Sequence, residues 1–433
     1  MENEKAINLE VNPSSNTAIT TLIMLANAGY DQASAILEKM GVEKEKVFHG
    51  IDRKDMINRP VDIARELRYV ALNRTIEESG YQTLMDLPCG YTPKVFEFTE
   101  KGMHYIGCDL PAVIDDFAPI IDSMTDEEQK KKIDFAVVDV TNYESLKAAA
   151  DKADGPVCIA TEGLLAYLSS DEKQQLWRNI RRILSEKGGC WLNTDAETIR
   201  RYFAVFKAVA GDRAGDLMAG LIKGFSEQSD TDLRSNSSEV LSGQMKGTGE
   251  SVRMDYEKLE AAYHAAGLLV EKVPYYRDDL ELHLFNSMSP EEIEKVRENI
   301  KHVNIWKLTV DPAYQEKENA DSSGAAAGPV DPGLPFQVKS ELKDGVLSVS
   351  IQGRMDTITA PELLKQFQEA GEGIRSIHVD VNRMSYVSSA GLRVLLIMYK
   401  SLADKDKFEM AGVSKAVREI LETTGFDQFL LKE

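Results

Sequence analysis

Residues 83–94 read TLMDLPCGYTPK, and this stretch decides the fold of the longer part of the chain. Its first five residues form a mostly apolar run, and an amphipathic stretch begins directly after Pro93. Gly90 lies between them and has no side chain, so a ligand can approach the backbone there. The pattern predicts a buried strand, a tight turn and a helix capped by Thr92, whose positive end can face a carboxylate or phosphate.

Four more short apolar runs follow, separated by longer amphipathic stretches. Strands that are buried on both faces and alternate with helices predict an α/β fold with a parallel sheet covered on both sides. Ligands of such sheets bind beyond the carboxyl ends of the strands. The five predicted strands are 83–87, 105–110, 135–140, 157–161 and 190–194.

Helical patterns lie on both sides of these strands, and we expect them to cap the sheet. Two further strands are predicted near the end of this region, on either side of a short helix. The predicted helices are 18–40, 61–78, 198–224 and 290–300, and the additional strands are 268–273 and 304–310.

Acidic residues stand at the ends of the first four predicted strands. Asp86 lies in the first, and Asp109 ends the second about twenty residues beyond Gly90, where a carboxylate can accept both hydroxyls of a ribose. Asp139 ends the third strand, placed to accept from an adenine amino group, and Glu162 follows the fourth. Together they predict one adenosine-shaped crevice. The alternative for any single acid is that it caps a helix.

Four ordered motifs carry a resemblance to a known family. They are DLPCG at 86–90, CDLP at 108–111, VVDV at 137–140 and EGLLAYL at 162–168. Residues 16–310 resemble the class I S-adenosylmethionine (SAM)-dependent methyltransferases, and EGLLAYL resembles the leucine carboxyl methyltransferase family in particular. The resemblance implies a Rossmann-like seven-stranded sheet whose last strand is antiparallel, with a helical N-terminal cap at about residues 14–80. It also implies SAM as cofactor, S-adenosylhomocysteine as product and methyl transfer to oxygen, with a carboxylate as a candidate acceptor.

The same resemblance assigns roles to the strand-end residues. Gly90, in the loop that Asp86 opens, would lie under the methionine part of the cofactor. Asp109 would hold the ribose and Asp139 the adenine edge. Glu162 would approach the methionine amino group.

The cap and the later helices contribute three further candidates. Relatives pair an arginine of the cap with the cofactor's carboxylate, a geometry that suits a guanidinium group, and we prefer Arg65 over Arg68 on the same helix face. Tyr167 and Tyr202 are candidates to line the acceptor pocket, with packing in the core as the alternative for both.

The cofactor loop departs from the family at Pro88, where many relatives have a second glycine. Proline fixes φ and offers no N–H group to a ligand, so a domain that binds cofactor without catalysis remains an alternative. The four cysteines have no C-x-x-C spacing and the six histidines have no metal-ligand spacing. We therefore predict no metal site.

Length and charge narrow the class of protein. The chain has 433 residues, enough for two or three domains, and a net charge of −20. The electric field of so negative a protein repels phosphate backbones and anionic lipids, so neither a nucleic acid nor a membrane is expected as a partner. The N-terminal sequence lacks the basic and then apolar order of a secretory signal, and we predict a cytoplasmic protein.

Residues 311–335 are rich in small, acidic, Gly and Pro residues and predict a flexible linker.

A second pattern begins at residue 336. Strands are predicted at 346–352, 376–381 and 408–411, and helices at 361–367, 392–402 and 414–423. Three motifs, GRMDTITAPELL at 353–364, SYVSSAGLRVLL at 385–396 and TTGFDQFL at 423–430, closely resemble STAS domains, the fold of bacterial anti-sigma factor antagonists. Residues 336–433 are therefore predicted to be a STAS domain that follows a methyltransferase domain at 1–310.

The STAS resemblance implies a regulatory site. Ser389 aligns with the serine that an anti-sigma factor kinase phosphorylates, and added negative charge in a docking surface would block association. Ser388 stands where typical antagonists have an acidic residue, and Asp356 occupies the loop position that flanks the acceptor. We expect both at the docking site, with an anti-sigma factor or a serine kinase as partner. The alternative is that Ser388 and Ser389 only cap a helix.

Two hypotheses follow from the sequence. The first is a SAM-dependent methyltransferase of unknown acceptor whose STAS domain binds a regulatory partner. The second is a signalling adaptor of the anti-sigma factor antagonist type whose methyltransferase fold only binds SAM or another metabolite.

Overall fold

A computed structural model describes residues 13–42, 58–168, 170–218, 256–314, 334–356, 358–371, 373–424 and 426–431. The chain divides into two compact units, Met1–Gln315 and Glu316–Glu433. Most of the predicted linker, residues 315–333, lies outside the described ranges.

The first unit is built on a seven-stranded sheet, and its strand order places β1 between β2 and β4. The order is β3-β2-β1-β4-β5-β7-β6. Strands β1 to β5 are parallel, whereas β7 is antiparallel to both β5 and β6. The strands are β1 (Thr83–Asp86), β2 (His104–Asp109), β3 (Ile133–Val137), β4 (Val157–Thr161), β5 (Gly189–Asn193), β6 (Leu268–Pro274) and β7 (Asn304–Val310). The expected fold class, including the antiparallel last strand, is confirmed.

Helices cover this sheet. They are α1 (Pro13–Ala28), α2 (Asp31–Met40), α3 (Asn58–Glu78), α4 (Lys94–Glu100), α5 (Pro111–Met124), α6 (Glu127–Lys130), α7 (Tyr143–Ala150), α8 (Ser170–Lys187), α9 (Thr198–Ala210), α10 (Tyr256–Ala265) and α11 (Pro290–Ile300). Neighbouring residues of one strand belong to different cores, since Leu84 packs with the N-terminal helices and Met85 with α7 and α8. The alternation shows that both faces of the sheet are buried, as the apolar runs predicted.

Several predicted boundaries differ from the observed ones. The predicted helix 18–40 is two helices, because Gly29 adopts a φ of +101° that ends α1. The helix predicted at 198–224 ends at Ala210, where Gly211 has a φ of +57°, and residues 219–224 lie outside the described part. Strand β3 ends at Val137, so Asp139 follows it by two residues.

Thr92 does not cap the helix after β1, contrary to the prediction. Helix α4 begins at Lys94, its N-cap position is Pro93, and no side chain caps it. The Thr92 hydroxyl instead donates to the carbonyl of Cys89 at 3.2 Å. The hydroxyl therefore stabilises the turn rather than the helix end.

The second unit is a four-stranded sheet of order β11-β10-β9-β8 with helices packed against it. Its elements are β8 (Gln337–Lys343), β9 (Val346–Met355), α12 (Ala360–Ala370), β10 (Ser376–Val387), α13 (Ser389–Ser401), β11 (Phe408–Ala411), α14 (Lys415–Thr424) and α15 (Asp427–Leu430). Strand β8 was not predicted. It is an edge strand in which Val338 alone is buried, so its sequence has no apolar alternation.

Candidate functional site at the strand ends

The ends of β1 and β2 meet at Gly90 and Asp109, as the sequence predicted. The amide of Gly90 donates to Oδ2 of Asp109 at 2.8 Å, and the amide of Leu110 donates to Oδ1 at 2.8 Å. Gly90 has a φ of +51°, and a Cβ atom there would lie 3.4 Å from Cβ of Ala18 in α1. The positive φ of this turn therefore favours glycine. The preceding Leu87–Pro88 peptide bond is cis.

A buried lysine joins the ends of β1 and β4, and the sequence analysis missed it. The Lys94 ammonium lies 3.1 Å from Oδ1 of Asp86 and 2.8 Å from Oε2 of Glu162. Oδ2 of Asp86 accepts from the Tyr105 hydroxyl at 3.1 Å, and Oε1 of Glu162 accepts from Nε of Arg68 at 2.7 Å. Cations and anions thus alternate across the strand ends. The available signal was a lysine inside the largely apolar stretch 93–98.

The pKa values of Glu162 and Asp109 are shifted in opposite directions. Burial raises the pKa of Glu162, but the charges of Lys94 and Arg68 outweigh burial and hold it at about 2. Burial raises the pKa of Asp109 to about 6, although hydrogen bonds from the amides of Leu110 and Gly90 oppose the increase. Glu162 is therefore ionised at any physiological pH, whereas Asp109 titrates close to neutrality.

Asp139 lies at the end of the neighbouring strand and stabilises its own turn. Its Oδ1 atom accepts from the amide of Thr141 at 2.9 Å and from the Thr141 hydroxyl at 2.7 Å. The residue is 1% exposed. The backbone connects it to the site, because the amide of Val138 donates to the carbonyl of Asp109. Contact of Asp139 with an adenine edge stays a prediction.

Of the two candidate arginines, Arg68 contacts a strand-end acid, Glu162. Arg65 lies beside Tyr202. Burial raises the pKa of Tyr202, but the charges of Arg65, Arg68 and Arg201 together lower it below its ordinary value. Pairing of Arg65 with a cofactor carboxylate stays a prediction, and Tyr202 is placed beside both arginines.

The EGLLAYL motif is held by Asp195, a second residue that the sequence analysis missed. Oδ1 of Asp195 accepts from the amide of Gly163 at 2.8 Å, and Oδ2 accepts from the amides of Leu164 and Leu165 at 2.7 and 2.9 Å. Tyr167 is half-buried in the 3-10 helix Leu165–Tyr167 that follows. Asp195 comes shortly after β5, so the rule that strand ends carry the site could have found it.

In the second unit, the predicted docking residues have internal roles. Ser388 caps α13 by accepting from the amide of Gly391 at 3.4 Å, and it is 2% exposed. Oδ1 of Asp356 accepts from the amides of Ile358 and Thr359, each at 3.1 Å, and Asp356 is 6% exposed. Both side chains shape the loops, and their contact with a partner stays a prediction. Ser389 begins α13, but its side chain lies outside the described part.

Comparison with known proteins identifies the second unit. The family model described as "Mlab, STAS domain" matches residues 338–432. BtrV of Bordetella bronchiseptica, assigned as an anti-sigma factor antagonist, is 33% identical over 85 residues, which are 19% of this chain and 73% of the relative. The chain belongs to the STAS domain family. The anti-sigma-B factor antagonist of Staphylococcus aureus is similar to the STAS domain at 28% identity over 99 residues, 22% of this chain and 92% of the relative.

Solved structures similar to the first unit are methyltransferases. A protein of Thermobifida fusca assigned as a methyltransferase has 15% identity and a TM-score of 0.33, covering 57% of this chain and 82% of its own. Human N-acetylserotonin methyltransferase, solved in complex with SAM, has 18% identity and a TM-score of 0.23, covering 43% of this chain and 53% of its own. At these values the likeness alone assigns no activity.

Two other properties bear on function. Within the described ranges, no group of three or more His, Cys, Asp or Glu residues is arranged to hold a metal ion. No described helix is both long enough and apolar enough to cross a membrane.

Proposed function

We propose that residues 1–310 form a SAM-dependent methyltransferase domain, joined by a linker at 311–335 to the STAS domain at 336–433. The observation that carries the proposal is the convergence of acidic side chains at the ends of adjacent parallel strands around Gly90. The Gly90 amide contacts Asp109 from β2, and Lys94 joins Asp86 of β1 to Glu162 after β4. Such strand ends are where α/β sheets bind their ligands.

The residues fit the charge pattern of the cofactor. The methionine part of SAM carries an ammonium and a carboxylate, and the site presents Arg68 and Lys94 beside Asp86 and Glu162. Asp109 is the group we assign to the ribose. Asp139, at the next strand, is assigned to the adenine edge. Arg65 is a further candidate for the carboxylate.

When bound, the cofactor would supply a methyl group on a sulfonium centre. The residues of this chain then need to align the acceptor and exclude water, because the reaction is an in-line displacement. Tyr167 and Tyr202 are our candidates for the acceptor side. A carboxylate acceptor needs no base. A hydroxyl acceptor needs one, and Tyr202 could take its proton only as the phenolate, the form that the neighbouring arginines favour by lowering the pKa of Tyr202.

The adaptor alternative has specific support. Lys94 already occupies one oxygen of Asp86 and one of Glu162, and both oxygens of Asp109 accept backbone amides. Pro88 also offers no N–H group in the cofactor loop. In this alternative the first unit binds SAM or another metabolite without turnover, and the STAS domain carries the signal.

We further propose that the STAS domain binds an anti-sigma factor or serine kinase, with Ser389 as the phosphorylated residue and Asp356 and Ser388 supporting the loops around it. The proposal rests on the matched relatives, which are assigned as anti-sigma factor antagonists. The four cysteines are free and buried, which suits a reducing compartment, and we place the protein in the cytoplasm.

A labelled-methyl transfer assay separates the two functions. The full chain is incubated with SAM labelled in the methyl group and a bacterial lysate, and the masses of labelled products are read. The methyltransferase proposal expects label in a product with the wild-type chain and none with Gly90→Arg. Tight binding of SAM without any label transfer would support the adaptor.

A further inference from the structure

The four carboxylate oxygens of Asp86 and Glu162 all have strong donors within the protein, and this inference rests on the proposed SAM site. Lys94 donates to one oxygen of each acid. The Tyr105 hydroxyl donates to the other oxygen of Asp86, and Nε of Arg68 donates to the other oxygen of Glu162. The side chains of Lys94, Asp86 and Glu162 are 1%, 0% and 4% exposed. The ammonium of Lys94 therefore occupies the place where the sequence analysis expected the ammonium of the cofactor.

The charges of these four side chains sum to zero when both acids are ionised. Two cations, Lys94 and Arg68, face two anions, Asp86 and Glu162. A third cation next to Lys94 would be repelled, and water screens that repulsion poorly at buried positions. An anion would likewise be repelled by Asp86 and Glu162, so net charge does not choose between the two. The difference lies in hydrogen bonding, because each oxygen of the two acids already accepts from a donor of the protein. The arrangement thus favours a ligand that brings a carboxylate over one that brings an ammonium.

The donors needed for a carboxylate are present. An ammonium has three N–H groups, and Asp86 and Glu162 accept from Lys94. A guanidinium has five N–H groups, of which the Nε group of Arg68 is the one that donates to Glu162. Each cation therefore has more N–H groups than its bonds to the two acids use.

We propose that Lys94 is a specificity-determining residue. Its ammonium takes the position beside Asp86 and Glu162 that a ligand's ammonium would otherwise occupy. The site then selects SAM-type ligands through their carboxylate, which Lys94 and Arg68 bind. Asp86 and Glu162 then hold the two cations in place rather than contacting the ligand's amino group.

Three ligands test the proposal on the unaltered full-length chain by isothermal titration calorimetry. They are S-adenosylhomocysteine, its deaminated analogue, which keeps the carboxylate, and its decarboxylated analogue, which keeps the amine. We expect the deaminated analogue to bind within about threefold of S-adenosylhomocysteine, and the decarboxylated analogue to bind at least about tenfold more weakly, the loss typical of one charged contact. An equal loss for both analogues, or a larger loss for the deaminated one, would overturn it.

The outcomes also separate this proposal from the proposed function. If S-adenosylhomocysteine binds but the order of the analogues is reversed, the cofactor site stands and the role of Lys94 is wrong. If none of the three ligands binds, both the cofactor site and the role of Lys94 are wrong.

Lys94→Met supplies an independent test, because methionine keeps most of the side-chain length and removes the charge. With Lys94 gone, Glu162 can accept from a ligand's amine, so the preference for the deaminated over the decarboxylated analogue should fall by about tenfold or more. Lys101→Met is the matched control: this exposed lysine follows the same helix and pairs with Glu77 and Glu97, and its loss should leave the preference unchanged. A Lys94→Met protein that folds, by its circular dichroism, and keeps the wild-type preference would overturn the proposal. If it does not fold, the three-ligand comparison decides.

Discussion

The backbone amide of Gly90 donates a 2.8 Å hydrogen bond to Oδ2 of Asp109, which ties the loop after β1 to the end of β2. The other oxygen of Asp109 accepts from the amide of Leu110. These bonds hold the carboxylate at the turn that contains Gly90. They oppose the effect of burial, which raises the pKa of Asp109 to about 6.

Ligand binding should therefore weaken at mildly acidic pH. Burial raises the pKa of Asp109 to about 6, so the carboxylate that we assign to the ribose becomes protonated below that pH. Affinity for S-adenosylhomocysteine should fall as pH drops from 7 to 5, by up to about tenfold for each unit below the pKa. Asp109→Asn should bind weakly and without this pH dependence. An Asp109→Asn profile that still falls below pH 6 would assign the dependence to another group.

The ion pairs of Glu162 should appear in the pH dependence of stability. Its pKa in the fold is about 2, below its ordinary value of 4.5, so its stabilisation is complete above pH 4.5 and is lost as pH falls toward 2. Glu162→Gln should lower the unfolding free energy at pH 7 by about 3 kcal/mol, and the difference should shrink below pH 4.5. Urea unfolding followed by tryptophan fluorescence measures this in the first unit, where Trp177, Trp191 and Trp306 all lie. A difference that stays constant from pH 7 to pH 3 contradicts the ion-pair explanation.

Asp195 should hold the loop that carries Glu162. Asp195→Ala removes the acceptor for three backbone amides, at residues 163, 164 and 165, and should lower the unfolding free energy by about 2–3 kcal/mol. Hydrogen exchange of a peptide covering 163–165 should become faster. Asp154→Ala, at an exposed position in the same unit, is the control and should change neither quantity. Unchanged exchange in Asp195→Ala would show that the loop is held by other contacts.

The two serines before α13 should behave differently. Ser388 is a buried helix cap, so Ser388→Ala should lower the stability of the STAS domain by about 1 kcal/mol. Ser389→Asp adds charge at the first helical position, which a helix N-terminus tolerates, and should weaken binding to an anti-sigma factor without loss of stability. Thermal unfolding and a binding titration with the partner separate the two effects. If Ser389→Asp binds as well as Ser389→Ala, Ser389 is not the regulatory residue.

The sequence predicted the elements that follow from hydrophobic periodicity and the residues that lie at strand ends. Gly90 and Asp109 could be placed because a short apolar run followed by a turn and a helix brings such residues to one edge of a sheet. The sequence predicted that the third strand ends at Asp139, but β3 ends two residues earlier, at Val137, because the apolar pattern does not show where the hydrogen bonds between strands stop. Strand β8 was missed because a single buried residue, Val338, gives no period.

The partners of buried charges could not be predicted. Lys94 lies in an amphipathic helix, where a lysine normally faces solvent, and only the tertiary structure shows that its ammonium lies between Asp86 and Glu162. The choice between Arg65 and Arg68 had the same difficulty, since both residues share a helix face. Which of them reaches Glu162 depends on how α3 packs over β4, and this is information that one helix does not contain.

The central claim is that the strand-end residues around Gly90 form a site for SAM-type ligands. Calorimetric titration of the full-length chain with S-adenosylhomocysteine tests it most directly, with Gly90→Arg as the comparison, because an arginine at a φ of +51° would fill the turn next to Ala18. We expect one molecule bound per wild-type chain and no binding by a folded Gly90→Arg protein. No heat of binding with the wild-type chain, or equal affinity in both proteins, would contradict the claim.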